Sequence, residues 1–239
     1  MDKPVRHIFA IGDNGFNKDP ENTDLYRFLL SHTGKLLPRV CLIPTASGDA
    51  QSTIDAFLSL FGKLDCELTL LSLFRGEKED LESIVLNQDL IYVSGGNTRN
   101  MLVLWKEWGL DVLIKRAYDQ GVILAGGSAG SLAWFEGGVT DSIPERFSSM
   151  KCLGFLKGSN SPHYNELTRR PFFQNAISTG ELPDGMASEN GVCLHFVNEE
   201  FKEAVSPYAE KFAYRVSRVG SGFEEEAIPA RVLAKTLDS

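Results

Sequence analysis

The chain has 239 residues, 43% of them hydrophobic and 23% charged, with a formal net charge of −8. That length supports a single α/β domain over residues 1–239, with a core covered on both faces of a sheet, and is short for two full-sized domains. The negative balance with no dense basic patch excludes a nucleic-acid partner. No apolar run approaches the roughly 20 residues that span a bilayer, and Met1 to Phe9 lacks a secretory pattern, so no membrane segment and a cytoplasmic location are expected.

In chain order, Val5 to Ile11 reads as a strand running into a turn at Gly12, Asp13, Asn14 and Gly15. A helix through Tyr26, Leu29 and Leu30 ends near Gly34, and Arg39 to Ile43 is the second strand. Ser52 opens a helix through Leu64, Glu67 to Leu73 is a third strand, Glu79 to Leu86 a short helix, and Asp89 to Val93 a fourth strand. Met101, Leu104, Trp105 and Trp108 share one helical face and read as core. Gly121 to Ala125 is a continuous apolar run, as expected of a central strand buried on both faces. Beyond Gly137 the pattern loosens: a polar loop from Asn160 to Pro171, then strands at Gly191 to Val197 and Phe212 to Val219. Glu224, Glu225 and Glu226 read as a solvated surface run. Cys41, Cys66, Cys152 and Cys193 are scattered and read as reduced thiols without zinc spacing. Strands alternating with helices predict a Rossmann-like α/β fold, a mostly parallel central sheet with helices on both faces.

Directly after the central strand comes Gly126, Gly127, Ser128, Ala129, Gly130, the Gly-x-Ser-x-Gly pattern of a nucleophile elbow. A serine on a tight strand-to-helix turn stands above the sheet, and the amide of the next residue, Ala129, is half an oxyanion hole. The preceding strand ends in Ser94, Gly95, Gly96, Asn97, which puts the Gly96 amide at the same edge in a parallel sheet. A Walker loop would need a lysine that is absent here. A glycine turn that only binds a nucleotide or phosphate remains an alternative.

A serine nucleophile needs a base, and there are four histidines. His7 opens the first strand and His32 ends the returning helix, which places both at the sheet's amino edge, opposite Ser128. His195 lies inside a strand and reads as a satisfied core histidine. His163, after Ser161 and Pro162 in a polar loop, is the remaining candidate. Spacing alone leaves the acid partner open among Asp141, Glu145, Glu166, Asp184 and Glu189.

From Ile8 to about Val197 these pieces resemble the peptidase E family of serine peptidases, the dipeptidase E and cyanophycinase group. The resemblance rests on Gly95 to Asn97 before a helix, Ala125 to Gly130, Asp141 after Thr140, Pro162 with His163, and Glu189 ahead of a strand. It implies a glutaminase-like three-layer sandwich. It also implies Ser128 as nucleophile, His163 as base, Glu189 as the carboxylate that orients the imidazole, and the Gly96 and Ala129 amides as oxyanion hole. Asn97, Asp141, Arg169 and Arg170 become substrate-binding candidates, the arginines because a guanidinium can grip an acidic side chain with two hydrogen bonds. Ala187, Ser188, Glu189, Asn190 departs from the family's Pro-Glu-Gly-Asn-like segment. The expectation is a dipeptidase preferring N-terminal Asp, monomeric or homodimeric, with a small peptide substrate and no metal or cofactor. The same-class alternative is a β-aspartyl isopeptide hydrolase acting on a cyanophycin-like polymer.

Overall fold

The computed structural model describes residues 4–13, 15–75 and 80–234. The expected turn residue Asn14 and helix start Glu79 lie outside them. In chain order the elements are β1 (His7–Ile11), α1 (Gly15–Lys18), α2 (Asp24–Ser31), β2 (Arg39–Ile43), α3 (Gln51–Phe61), β3 (Glu67–Leu70), α4 (Leu81–Leu86) and β4 (Leu90–Val93). Then follow α5 (Thr98–Trp108), α6 (Leu110–Asp119), β5 (Ile123–Gly127), α7 (Ala129–Leu132), β6 (Phe135–Ile143), β7 (Arg146–Lys151) and β8 (Leu156–Ser161). The rest are α8 (Arg169–Ser178), β9 (Gly185–Ser188), β10 (Cys193–Val197), β11 (Glu200–Ser206), β12 (Phe212–Val219), β13 (Gly222–Pro229) and β14 (Arg231–Val232).

The first sheet has eight strands in the order β14-β11-β10-β1-β5-β4-β2-β3. Its β1, β5, β4, β2 and β3 are parallel, while β10 runs antiparallel to both β1 and β11. The period-2 alternation of side chains explains why it carries helices on both faces. Ile8, Ala10, Cys41, Ile43, Ile91, Val93 and Leu124 pack with residues of α4, α5 and α6 on one side. Phe9, Ile11, Val40, Leu42, Tyr92 and Ala125 meet α1, α2 and α3 on the other. A one-residue slip would exchange the two sets, and at about 1.5–3 kcal/mol for each large buried apolar side chain the register is firmly held.

Caps delimit the helices. Asn97 accepts a bond from the Asn100 amide at the start of α5, and Gly109 in the left-handed region ends it. Met101 and Trp105 are buried as expected, but Trp108, the last residue of α5, is 47% exposed because the chain turns away at Gly109.

A six-stranded second sheet, order β13-β12-β9-β8-β6-β7, was not anticipated and begins where the sequence pattern loosens. Helix α8 covers it through Phe173, Ala176 and Ile177, which pack with Val139, Tyr214 and Val216. The segment Asn160 to Pro171, expected as a loop, is the end of β8, a turn, and the first turn of α8. The strand β8 ends in Ser159, Asn160 and Ser161, all fully buried, so both of its faces are covered there by polar side chains and no apolar alternation can be read. Cys41, Cys66, Cys152 and Cys193 are all free. No helix among the described residues is long and apolar enough to cross a membrane.

Candidate functional site

Four segments converge at the carboxyl edge of the first sheet: the ends of β1 and β5, the turn after β8, and the connection from β9 to β10. The turn at Ser128 requires glycine two residues to either side, at Gly126 and Gly130. A Cβ at Gly126 would fall 2.7 Å from the Gly130 carbonyl carbon, and one at Gly130 would fall 2.3 Å from the Val93 carbonyl oxygen. Ser128 itself is held at φ 53, ψ −108, a conformation that costs a non-glycine residue about 1–3 kcal/mol. Its amide donates to the Ile11 carbonyl at 3.0 Å, and its carbonyl accepts from the Ser131 and Leu132 amides, so the strain is absorbed by β1 and α7.

His163 follows β8 with φ 56. Its backbone amide donates to Gly12 O at 3.1 Å, and the next amide, of Tyr164, donates to Ser188 O at 3.0 Å. These bonds fix the imidazole between both sheets. Its Nε2 lies 2.8 Å from Ser128 Oγ, and its Nδ1 lies 2.6 Å from Asn190 Oδ1. An amide oxygen can only accept, so Nδ1 carries the proton and Nε2 presents its lone pair to the serine hydroxyl. Burial pushes the His163 pKa below the usual imidazole value, and the Arg169 charge pushes the same way, against the Asn190 bond, Glu166 and Asp13. The ring is therefore neutral at pH 7.

The carboxylate of Glu189 does not take the place expected for it. It accepts from Tyr214 Oη at 2.9 Å and from the Phe212 amide at 3.4 Å, tying the β9–β10 connection to β12. Gly12 approaches so closely that a Cβ there would stand 2.1 Å from Glu189 O. The backbone at this crossing thus turns Glu189 toward β12 and Asn190 toward His163. Asn190 is in turn held by its amide donating to Asn165 Oδ1 at 3.0 Å, while the Gly191 amide donates to Asp13 Oδ1 at 3.1 Å. Sequence reasoning missed Asn190, Asn165 and Asp13. The only signal was that Asn190 adjoins Glu189 in a segment departing from the family pattern.

Gly96 lies just past β4, which pairs with β5 through Val93 opposite Gly126, so it flanks Ser128 at the same edge. Its φ of 139 and the 2.1 Å approach of a Cβ to Ala46 O leave room only for glycine. The Ala129 amide opens α7, where no intrahelical acceptor exists for it. Asn97 has both ends of its amide engaged, the cap bond and a bond to Ser142 O at 2.9 Å.

Arg169 and Arg170 are in helix α8 rather than a loop, and neither is simply solvated. Arg169 is 3% exposed and pairs with Glu166 at 2.9 Å and Asp141 at 3.0 Å, with its guanidinium over the Phe147 ring. Arg170 pairs with Glu225 and lies over Tyr164 and Tyr214. Glu225, expected in a solvated run, also accepts from Tyr164 Oη and Gln174.

Residues 8–204 match the sequence profile of peptidase family S51. The chain is 45% identical over 230 residues to the "Uncharacterized peptidase YgaJ" of Bacillus subtilis (strain 168), covering 96% of this chain and all of that one. Two solved structures share the fold. A peptidase from an acI-B1 Actinobacterium superposes with a TM-score of 0.68 at 16% identity over 95% of both chains. A protein of Listeria monocytogenes EGD-e named as peptidase E gives 0.63 at 19% identity, over 84% of this chain and 98% of that one. The chain belongs to peptidase family S51.

Proposed function

We propose that this member of peptidase family S51 is a serine-type peptidase that cleaves small peptides through an acyl-enzyme on Ser128. The observation that carries the reading is the 2.8 Å approach of a neutral His163 Nε2 to the Oγ of a serine held on a strained elbow. Ser128 Oγ attacks the peptide carbonyl carbon as Nε2 takes its proton. The resulting imidazolium is steadied by Nδ1–H donating to Asn190 and by the negative charges of Glu166 and Asp13. The oxyanion falls to the amides of Ala129 and Gly96. Collapse expels the amine, which receives the proton from Nε2, and water then reverses the path to free the acid.

The finer form of the reading is a dipeptidase preferring N-terminal Asp. Its support is the Arg169 guanidinium, close enough to His163 for its charge to be felt there. Asp141 is largely exposed and shares that guanidinium, so an incoming aspartate would displace or join it. A fluorophosphonate probe tests the mechanism: adduct formation at Ser128 supports it, and an unlabelled serine in folded protein rejects it. Comparison of Asp-Leu with Ala-Leu tests specificity separately, because equal rates remove the aspartyl preference and leave the serine chemistry standing.

A further inference from the structure

The opposite, amino edge of the first sheet gathers the other three histidines. His7 starts β1, His195 lies beside it on β10, and His32 follows the end of α2. One ring nitrogen from each lies within 4.8 Å of the other two. His7 Nδ1 and His195 Nε2 are only 3.0 Å apart. His195 is 3% exposed, and its Nδ1 has no hydrogen-bond partner, with Glu203 Oε1 at 3.8 Å.

Metal-free, His7 Nδ1 and His195 Nε2 share a single proton, and the side that carries it decides what His195 Nδ1 presents to Glu203. If His7 donates to His195, the Nδ1–H of His195 faces the Glu203 carboxylate, whose nearer oxygen stands 3.8 Å away. If His195 donates from Nε2, the Nδ1 lone pair faces the Glu203 carboxylate. A cation can take the place of the shared proton, with both facing nitrogens offering lone pairs and His195 keeping its Nδ1–H toward Glu203. His32 is prepared in the same way: Nδ1–H donates to Phe28 O at 2.8 Å, which leaves Nε2 as its lone pair. Glu203 is in turn held by Arg231 at 2.8 Å. A carbonyl and a carboxylate behind metal-facing imidazoles are the outer partners that orient such ligands.

We propose that His7 Nδ1, His32 Nε2 and His195 Nε2 form a divalent transition-metal site of the zinc class, remote from Ser128. Tetrahedral zinc at about 2.0–2.1 Å per nitrogen separates its ligands by about 3.4 Å, so the widest gap here closes with a shift of about 1–1.5 Å. A cavity of about 350 Å³ opens beside His7 and His32, lined also by Gln88, Asp89 and Lys35, whose charge is paired with Asp89 at 2.6 Å. The ion would tie α2 to β1 and β10, a structural role.

The test is titration of the full-length, chelator-treated protein with Co²⁺, followed by displacement with Zn²⁺. One Co²⁺ per chain with the intense visible bands of tetrahedral nitrogen coordination is expected, together with a higher melting temperature in Zn²⁺. His32→Gln, a change at a partly exposed helix end, should weaken binding at least about a hundredfold, and Glu203→Gln about tenfold. Ser128→Ala should bind metal as the parent does. Absence of stoichiometric binding by the parent overturns the site, as does unchanged affinity in folded His32→Gln. Should His32→Gln not fold, unchanged affinity in Glu203→Gln overturns it instead.

Discussion

The two edges of the first sheet use the same side chain in opposite ways. At the carboxyl edge, His163 has an acceptor on one nitrogen and a hydroxyl on the other, so its proton has one location and its lone pair faces the group to be activated. At the amino edge, His195 has another imidazole on one nitrogen and no hydrogen-bond partner on the other. Both rings are buried and both resist protonation. Burial alone therefore does not decide what a histidine does. What faces the second nitrogen differs, a fixed acceptor for His163 and no hydrogen-bond partner for His195, and the two proposals rest on that difference.

The largest effect that would break this contrast is at the nucleophile. Ser128→Ala should lower peptide turnover by about 10³- to 10⁶-fold while the melting temperature stays near that of the parent, measured with a dipeptide panel and thermal unfolding. His163→Ala should be nearly as damaging, and parental turnover in that variant would move the base elsewhere. Arg169→Met should reduce hydrolysis of Asp-Leu relative to Ala-Leu roughly tenfold to a hundredfold, the worth of charge-assisted bonds at about 1.5–3 kcal/mol. The ratio is the relevant readout because Arg169 also bridges Glu166 and Asp141, and its loss affects both substrates through the fold.

Smaller changes sharpen the contrast at the second nitrogen. Asn190→Ala should cost about tenfold in kcat, one well-placed hydrogen bond, whereas Glu189→Gln, which keeps an acceptor for Tyr214, should change kcat by less than about threefold. The reverse order would return the orienting role to Glu189. The smallest effect is in the pH profile. In the proposed mechanism His163 is the neutral base, and burial lowers its pKa, so the acid limb of kcat/KM should lie below the ordinary imidazole value of 6.5. The Asn190 bond opposes that shift, so Asn190→Ala should carry the limb further toward acid. A limb above 6.5 would contradict the buried, neutral base.

How much of this was legible in the sequence varies along the chain. The first half announces itself because strands buried on both faces must be apolar throughout and their helices amphipathic: β2, β4 and β5 were expected within a residue or two of where they lie. The elbow was legible too, since only glycine tolerates the backbone contacts at Gly126 and Gly130. The second half was legible only in part: β10 and β12 lie where strands were expected, but the second sheet was not anticipated. Strand β8 buries Ser159, Asn160 and Ser161, whose bonds run to residues far along the chain, such as Asn160 to Ser131 and Met186.

The sequence by itself determined the α/β class, the serine on its turn and the separation of His163 from the other three histidines, because each follows from local chain geometry and the direction of parallel strands. Only the tertiary structure decided that Asn190 rather than Glu189 meets the imidazole, that Arg169 is buried between two carboxylates, and that His7, His32 and His195 converge. Those outcomes depend on how backbones cross, as Gly12 crosses Glu189, and on strand pairings between residues as distant as His7 and Val197, which no local pattern encodes.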